Sequence, residues 1–474
     1  MTMSTEGLLD WMPAQRWFGN KAEQPERIEV VDTVVLEDGP PALTLALVRL
    51  TFAGAAPDAY YHLPLLVDED GTPRDALDDV TRLGVLGELM AHGSTVKGTT
   101  GAIEFGGPGL DPMSPPGPGD VRPIGAEQSN TSVVFGDTTI LKLFRRVEPG
   151  ANPDLELCRL LTNEGFENVP PQVGELTYRG DIDGQEVSID LGIAQRFVAD
   201  ATDGWDYTLR RLGALFEEID DADVAEDHRF LIEQRAPQFL EAIDELGEAT
   251  GALHVALSRE ESDPALAPEP VDQLDLRAWA DGANAYLQRL TAGGFDELEA
   301  MAPAISRQID KIKDLPAAGC KTRIHGDYHL GQVIRGLKWM ILDFEGEPVR
   351  SLEERRTKQS PLKDVAGMLR SFSYAATSAL FERGEPDSEE WKRLQPWADS
   401  WEALARERFL ASYLRKSHEG KFLAPERETL GAMLDFFEID KALYELEYEL
   451  GHRPEWVRIP TAGMARVIER GERR

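Results

Sequence analysis

The apolar residues of this chain change their spacing near residue 201, and that change limits the fold more than any other feature. Before it, β-branched apolar runs at 28–35 and 42–52, separated by the turn Asp38-Gly39-Pro40-Pro41, read as strands of a small β-rich unit. A helical pattern covers 80–92, and the stretch 106–123, dense in Gly and Pro, reads as a loop or boundary. Short strand-like runs at 131–135 and 138–144 are joined by Gly136-Asp137, a hairpin signal, and 152–161 reads as helix. After residue 201, the stretches 208–220, 230–257 and 274–290 place apolar residues three and four apart, the spacing of amphipathic helices. One β-rich island, 322–342, interrupts them. The expected architecture is α+β: a cap over 1–90, a β/α lobe over 91–200, and a mainly helical lobe over 201–474 that carries one hairpin.

With 474 residues and 42% apolar content, the chain can bury the cores of a large two-lobed enzyme. No run approaches the roughly 18 apolar residues of a membrane span, and Glu6 and Asp10 near the start do not suit a signal peptide. A cytoplasmic location is expected. Cys158 and Cys320 stand far apart without a CxxC pair, so neither a disulfide framework nor a thiolate zinc site is expected, and both read as small buried residues. A formal charge of −35 argues against nucleic acid or an anionic membrane as partner, because like charges repel.

The strongest chemical signal is His325-Gly326-Asp327-Tyr328-His329-Leu330-Gly331-Gln332, followed after one apolar strand by Asp343-Phe344-Glu345. Phosphoryl transfer needs a carboxylate for the attacking hydroxyl, metal ligands, and cations at the phosphates. Asp327 stands five residues before Gln332, the spacing of a kinase catalytic Asp and its metal-binding amide, and Asp343 falls where a second metal ligand belongs. Oxygen donors of this kind suit magnesium. His325 is placed with Asp327 in the catalytic set, where it is expected to brace the loop. A zinc pair of His325 and His329 is disfavoured, because Gly326 and Gly331 oppose the helix that would align them.

The required cation is read as Lys142, between Leu141 and Leu143 on the second hairpin strand. Glu156 on the next helix is its candidate partner, with Asp154 an equal alternative. Gln128-Ser129-Asn130-Thr131-Ser132 reads as a turn over nucleotide phosphates, of which Ser129, Asn130 and Thr131 are candidate ATP contacts.

These segments, together with Leu141-Lys142-Leu143-Phe144-Arg145-Arg146, Asn152-Pro153-Asp154, Asp343-Phe344-Glu345-Gly346-Glu347-Pro348 and the stretch 360–372, resemble the bacterial maltokinases of the aminoglycoside-phosphotransferase-like superfamily. The resemblance runs from Arg16-Trp17-Phe18-Gly19-Asn20-Lys21 to Arg453-Pro454-Glu455-Trp456; Asn20 replaces a second glycine of that pattern. It implies a bilobal protein-kinase-like fold with an added N-terminal cap and helical C-lobe, ATP and Mg2+ as cofactors, and maltose as acceptor. The product would be maltose 1-phosphate for α-glucan synthesis, and trehalose synthase would be a partner. Glucosamine, aminoglycoside and choline-type kinases share the phosphate chemistry. A non-catalytic kinase-fold binding protein is the other class, and intact Lys142, Asp327, Gln332 and Asp343 weigh against it.

For the acceptor, a helix over 436–449 is expected to bury Phe436, Ile439, Leu443, Leu446 and Leu450 as one stripe and to end at Gly451 and Pro454. Tyr444, Glu447 and Tyr448 then lie together on an adjoining face, rings for stacking on glucosyl units and a carboxylate for their hydroxyls. Composition alone makes these three ordinary surface residues; the resemblance favours a sugar site.

A salt-adapted origin would account for the acidic excess, since salt screens the self-repulsion of a charge of −35. The thermal midpoint should therefore rise from low to molar KCl in a scanning-fluorimetry series, and a flat or falling midpoint would count against screening as the dominant effect.

Overall fold

Long β-branched strands need a partner sheet or helix to cover one face, and the first part of the chain supplies two sheets. The computed structural model describes residues 3–21, 23–54, 56–106, 120–124, 129–219, 227–259, 262–347 and 350–473. It divides into two compact units, Met1–Asp200 with Glu347–Arg355, and Ala201–Gly346 with Arg356–Arg474.

In the first unit, Pro25–Glu37, Ala42–Phe52 and Ala59–Val67 form an antiparallel sheet, turning at Asp38–Pro41 as expected; Arg146–Val147 and Pro73–Asp75 also pair with Ala59–Val67. Trp17 and Phe18 pack on Tyr61, with ring centroids 5.9 and 5.3 Å away. Asn20, the departure from the glycine pattern, is buried and accepts the Tyr61 hydroxyl bond at 2.8 Å. The second sheet runs Thr95–Lys97, Gly101–Phe105, Gln172–Ile182, Gln185–Arg196, Thr139–Phe144, Asn130–Phe135 and Val121–Ile124 in spatial order. Of the expected 106–123 loop, residues 107–119 lie outside the described residues. Helix α1 (Pro153–Asn163) begins at Asn152, whose side chain accepts the Asp154 N–H bond at 2.8 Å. Cys158, on α1, is buried, whereas Cys320 of the second unit is only half-buried, a departure from the expectation for both.

The second unit is helical: α2 (Gly204–Glu217), α3 (Pro237–Leu257), α4 (Gln273–Thr291), α5 (Asp296–Asp310), α6 (Leu362–Phe381), α7 (Glu389–Ser417), α8 (Arg427–His452) and α9 (Arg458–Arg473). The helix expected over 230–257 is divided at Ala236, because Pro237 has no N–H to continue the ladder and starts a new helix instead. The end of the 208–220 helix, Asp220, lies outside the described residues. The β island forms as Val333–Arg335 and Trp339–Ile341, with Thr202–Asp203 as a third strand. Among the described residues, no helix is long and apolar enough to cross a membrane.

Helix α8 buries Phe436, Ile439, Leu443 and Leu446 as expected and departs from the expected stripe at its C-terminal end. Leu450 is 39% exposed, while Glu438, Glu445 and Glu449 are buried. Gly451 stays helical, and the helix ends at Arg453, which sits before Pro454 and leaves the helical region with φ −144°. Buried Glu438 meets Arg406 at 2.6 Å and Arg470 at 2.7 Å. Burial alone would raise its pKa from 4.5, but the two guanidinium groups overcome this and hold it at about 2. A depressed folded-state pKa gives stability that is complete above 4.5 and is lost as the pH falls toward 2. Glu438→Gln should thus cost about 3–5 kcal/mol at neutral pH by leaving buried arginines under-compensated, and should flatten the fall in melting temperature on acidification. Parallel melting curves from neutral pH into this acid window check both effects.

Candidate active site

A loop that must present a carboxylate to a reactant needs its own backbone N–H groups satisfied by something rigid. Here Asp364 of α6 does this. Its two oxygens accept the His325 N–H at 2.8 Å and the Gly326 N–H at 2.9 Å. Oδ2 also meets His254 Nε2 of α3 at 3.1 Å, and His254 Nδ1 meets the Tyr413 hydroxyl of α7 at 3.0 Å. Asp364 is 1% exposed; burial pushes its pKa up, but His254 and the loop N–H groups more than offset this and hold it below the ordinary range. Two glycines permit the close approach. Gly326 holds φ +87°, and a Cβ on Gly367 of α6 would lie 2.5 Å from the Tyr328 carbonyl.

His325 is buried between Tyr328 and Phe344. Its Nε2–H donates to the Leu342 carbonyl at 2.7 Å, and its Nδ1 accepts from the Asp327 N–H at 3.4 Å. Both ring nitrogens thus brace backbone, and neither is available to a reactant. The Asp327 carboxylate has Lys441 Nζ of α8 at 3.5 Å and His329 Nε2 at 3.8 Å. The His329 imidazole is crowded enough by protein that desolvation holds its pKa below the ordinary value, against the pull of Asp327.

The strand pair continues past Ile341, where the Leu342 N–H donates to the Gln332 carbonyl at 2.9 Å and so sets Gln332 beside the chain entering Asp343. Asp343 takes φ +62°, a left-handed conformation that Asp tolerates better than most residues. One of its carboxylate oxygens lies within 4.8 Å of one on Glu345. Carboxylate oxygens this close, at the end of the strand pair, are a donor set that fits a hard divalent cation such as magnesium. Glu345 was not singled out from the sequence as a ligand; its signal was the second acid of Asp-Phe-Glu.

In the first unit, Lys142 lies on an interior strand, not an edge, and its side chain is 12% exposed. Its Nζ is 3.1 Å from Asp154, the alternative left open beside Glu156; Glu156 stands half-buried two residues along α1. Asn130, Thr131 and Ser132 belong to a strand, with only Ser129 of the described residues before it; Gln128 lies outside the described residues. Thr131 corrects its expected placement. It pairs with Leu143, so it shares the sheet face opposite Lys142, and its hydroxyl accepts from Arg145 Nε at 2.7 Å.

Beside the Asp327 loop is a cavity of about 280 Å³, whose walls include His329, Lys441, Tyr444, Glu445, Tyr448 and Glu449. Trp205, Tyr374, Arg453 and Trp456 add further wall. Tyr444 and Tyr448 are therefore together at the cavity, but Glu447 is not. It accepts the Tyr286 hydroxyl bond at 2.6 Å on the α4 side. At 100° per residue, the stripe of Lys441, Tyr444, Glu445, Tyr448 and Glu449 is the cavity face, and position 447 is turned off it. Glu445 faces Arg370 at 2.7 Å, and Glu449 faces Arg453 at 2.6 Å with Tyr374 Oη at 3.0 Å. Lys441, Glu445 and Glu449 were missed because a helix of this composition offers several equally plausible polar faces.

The family profile described as Phosphotransferase enzyme family matches residues 120–397, more than half the chain. The chain belongs to that family. Residues 11–95 match the profile of the Maltokinase N-terminal cap domain. A glucosamine kinase of Mycolicibacterium smegmatis is 26% identical over 364 residues, 74% of this chain and 80% of the relative. Another, of Streptacidiphilus jiangxiensis, is 26% identical over 372 residues, 73% of each chain. A solved glucosamine kinase superposes with TM-score 0.71 at 22% identity, covering 96% of this chain and 97% of its own. A second structure, glucosamine kinase in complex with glucosamine, ADP and inorganic phosphate, gives 0.68 at 23% identity, covering 98% of this chain and 100% of its own. The expected kinase-like α+β fold, β-rich at the start and helical at the end, is the fold of this phosphotransferase.

Asp364→Asn keeps shape but leaves one oxygen to accept where two now do, turning an NH2 toward a backbone donor. It should destabilise the phosphotransferase by about 1.5–3 kcal/mol and lower kcat more than either KM, as thermal denaturation and steady-state kinetics would show. Unchanged kcat would remove Asp364 from the support of the loop.

Proposed function

We propose that this phosphotransferase is a sugar kinase that transfers the γ-phosphoryl group of ATP to the anomeric hydroxyl of maltose, giving maltose 1-phosphate. The observation that carries the reading is the aromatic cavity whose wall residues His329 and Lys441 flank the Asp327 carboxylate. In this reading Asp327 accepts the proton of the sugar hydroxyl as its oxygen bonds to phosphorus and the phosphorus–oxygen bond to ADP breaks. Lys142 and the Ser129–Asn130 segment hold nucleotide phosphates, and Gln332 and Asp343, with Glu345, hold Mg2+. When bound, the cation neutralises charge on the phosphates. Tyr444 and Tyr448 offer ring faces to the sugar, and the Glu445 and Glu449 carboxylates accept from its hydroxyls.

Glucosamine is the competing acceptor, since the relatives carry that name. The charge pattern favours a neutral sugar. Each acid of the cavity wall already faces an arginine, and Lys441 adds a positive group beside Asp327, so a protonated amine gains no uncompensated carboxylate. The match to the maltokinase cap adds support. A role beside trehalose synthase rests on the family resemblance.

An ADP-release assay over maltose, glucosamine and other sugars, with and without Mg2+, tests the reading. Maltose should give the highest kcat/KM, and turnover should require the cation; strong activity on glucosamine with none on maltose would overturn the acceptor assignment. Asp327→Asn should lower kcat by roughly two to four orders of magnitude. Tyr448→Ala should raise the maltose KM about tenfold and leave the ATP KM within about twofold.

A further inference from the structure

We infer that the N-terminal cap positions the lysine strand and its neighbour for the nucleotide, acting through Arg145. The strand Thr139–Phe144 alternates its side chains. Lys142 and Phe144 share one face, with the ammonium 5.8 Å from the ring, while Leu141, Leu143 and then Arg145 point to the reverse face. Arg145 is fully buried. Its Nε donates to Thr131 Oγ1 at 2.7 Å, and its Nη2 donates to the Asp75 carboxylate at 3.0 Å. The guanidinium carbon lies 4.9 Å from the centre of the Trp17 ring, over its face. Trp17 and Asp75 both fall within residues 11–95, the segment matched to the cap. Asp75 is itself fixed, accepting the Leu77 N–H at 2.9 Å.

The backbone is held from the same side. The His62 N–H donates to the Arg145 carbonyl at 2.8 Å, and the His62 ring Nδ1–H donates to the Phe144 carbonyl at 3.2 Å. Cap residues thus grip the end of the lysine strand by main chain and side chain, and Arg145 extends that grip to Thr131 on the neighbouring strand. A buried arginine–carboxylate pair contributes little net stability over an apolar substitute, so stability alone does not explain it. A planar guanidinium with donors in a fixed fork can, however, hold three elements in one geometry, which an apolar side chain cannot. Lys142 is three residues from Arg145, and Thr131 adjoins Ser129 and Asn130, so the grip bears on the groups assigned above to the phosphates. Arg145 is a positioning residue in this account, and the inference rests on that phosphate assignment.

The test compares Arg145→Lys, Asp75→Asn, Asp75→Glu and Trp17→Phe for kcat, the ATP and maltose KM values and the melting temperature, with Lys142→Ala as control. Arg145→Lys and Asp75→Asn should raise the ATP KM about five- to twentyfold with the maltose KM within about twofold. Asp75→Glu should recover part of the loss. Trp17→Phe, which keeps the packing of the cap should the buried-charge variants fail to fold, should move the ATP KM in the same direction by about two- to threefold. Equal changes in both KM values, or a lower melting temperature with an unchanged ATP KM, would overturn the inference. If Lys142→Ala leaves Mg-ATP affinity by calorimetry unchanged, the phosphate assignment fails, and the inference with it. If Lys142→Ala weakens that affinity while the folded Arg145, Asp75 and Trp17 variants keep it, only the cap inference fails.

Discussion

Asp364 carries the interaction on which the helical unit's chemistry depends. A carboxylate buried in protein must be compensated, and this one is compensated by the two backbone N–H groups that open the Asp327 loop and by His254. The same bonds therefore meet the need of the buried charge and fix the course of the loop. Through His254 the constraint reaches Tyr413 of α7, so three helices that are distant in sequence, α3, α6 and α7, converge on one turn. The Asp327 carboxylate is then aimed by main-chain geometry, with Lys441 and His329 near its oxygens.

Buried charge recurs across both units in the same form. Arg145 with Asp75, Lys142 with Asp154, Arg370 with Glu445 and Arg406 with Glu438 each set a cation against an acid away from solvent. A chain with 85 acidic and 50 basic residues has acids to spare, and these buried ones are matched by cations, whereas buried Asp32 accepts instead from the Thr33, Thr99 and Thr100 N–H groups and the Tyr178 hydroxyl. This matching shapes the cavity by α8. The charge of its acids is already balanced by arginines, the feature on which the proposed neutral-sugar reading rests.

Much of the architecture was legible because local chemistry dictates it. The hairpin at Gly136, the helix over 152–161 and the island around Asp327 and Asp343 are set by turn residues and short-range periodicity, and the structure forms all three. The spacing of Asp327, Gln332 and Asp343 was readable for the same reason: one loop and one short hairpin separate them. Helix interruption at Pro237 was equally local and should have been read from the missing N–H.

What the sequence by itself determined is the order of strands and helices and the residue types gathered on the Asp327 loop. Only the tertiary structure decided which of two acids meets Lys142, which acids of α8 are covered beside its apolar stripe, and which way Thr131 points. Asp154 and Glu156 are two residues apart on one helix, and the direction from which the lysine strand approaches puts Asp154 against it. On α8, Leu450 is exposed and Glu449 buried because Arg453 and Tyr374 supply the partners that make a buried carboxylate tolerable, and Tyr286 draws Glu447 off the cavity. Thr131 serves Arg145 because register places it opposite Leu143. Periodicity gave the apolar stripe of α8, but which polar residues beside it are covered, and how strands register, are settled by partners far away in the chain.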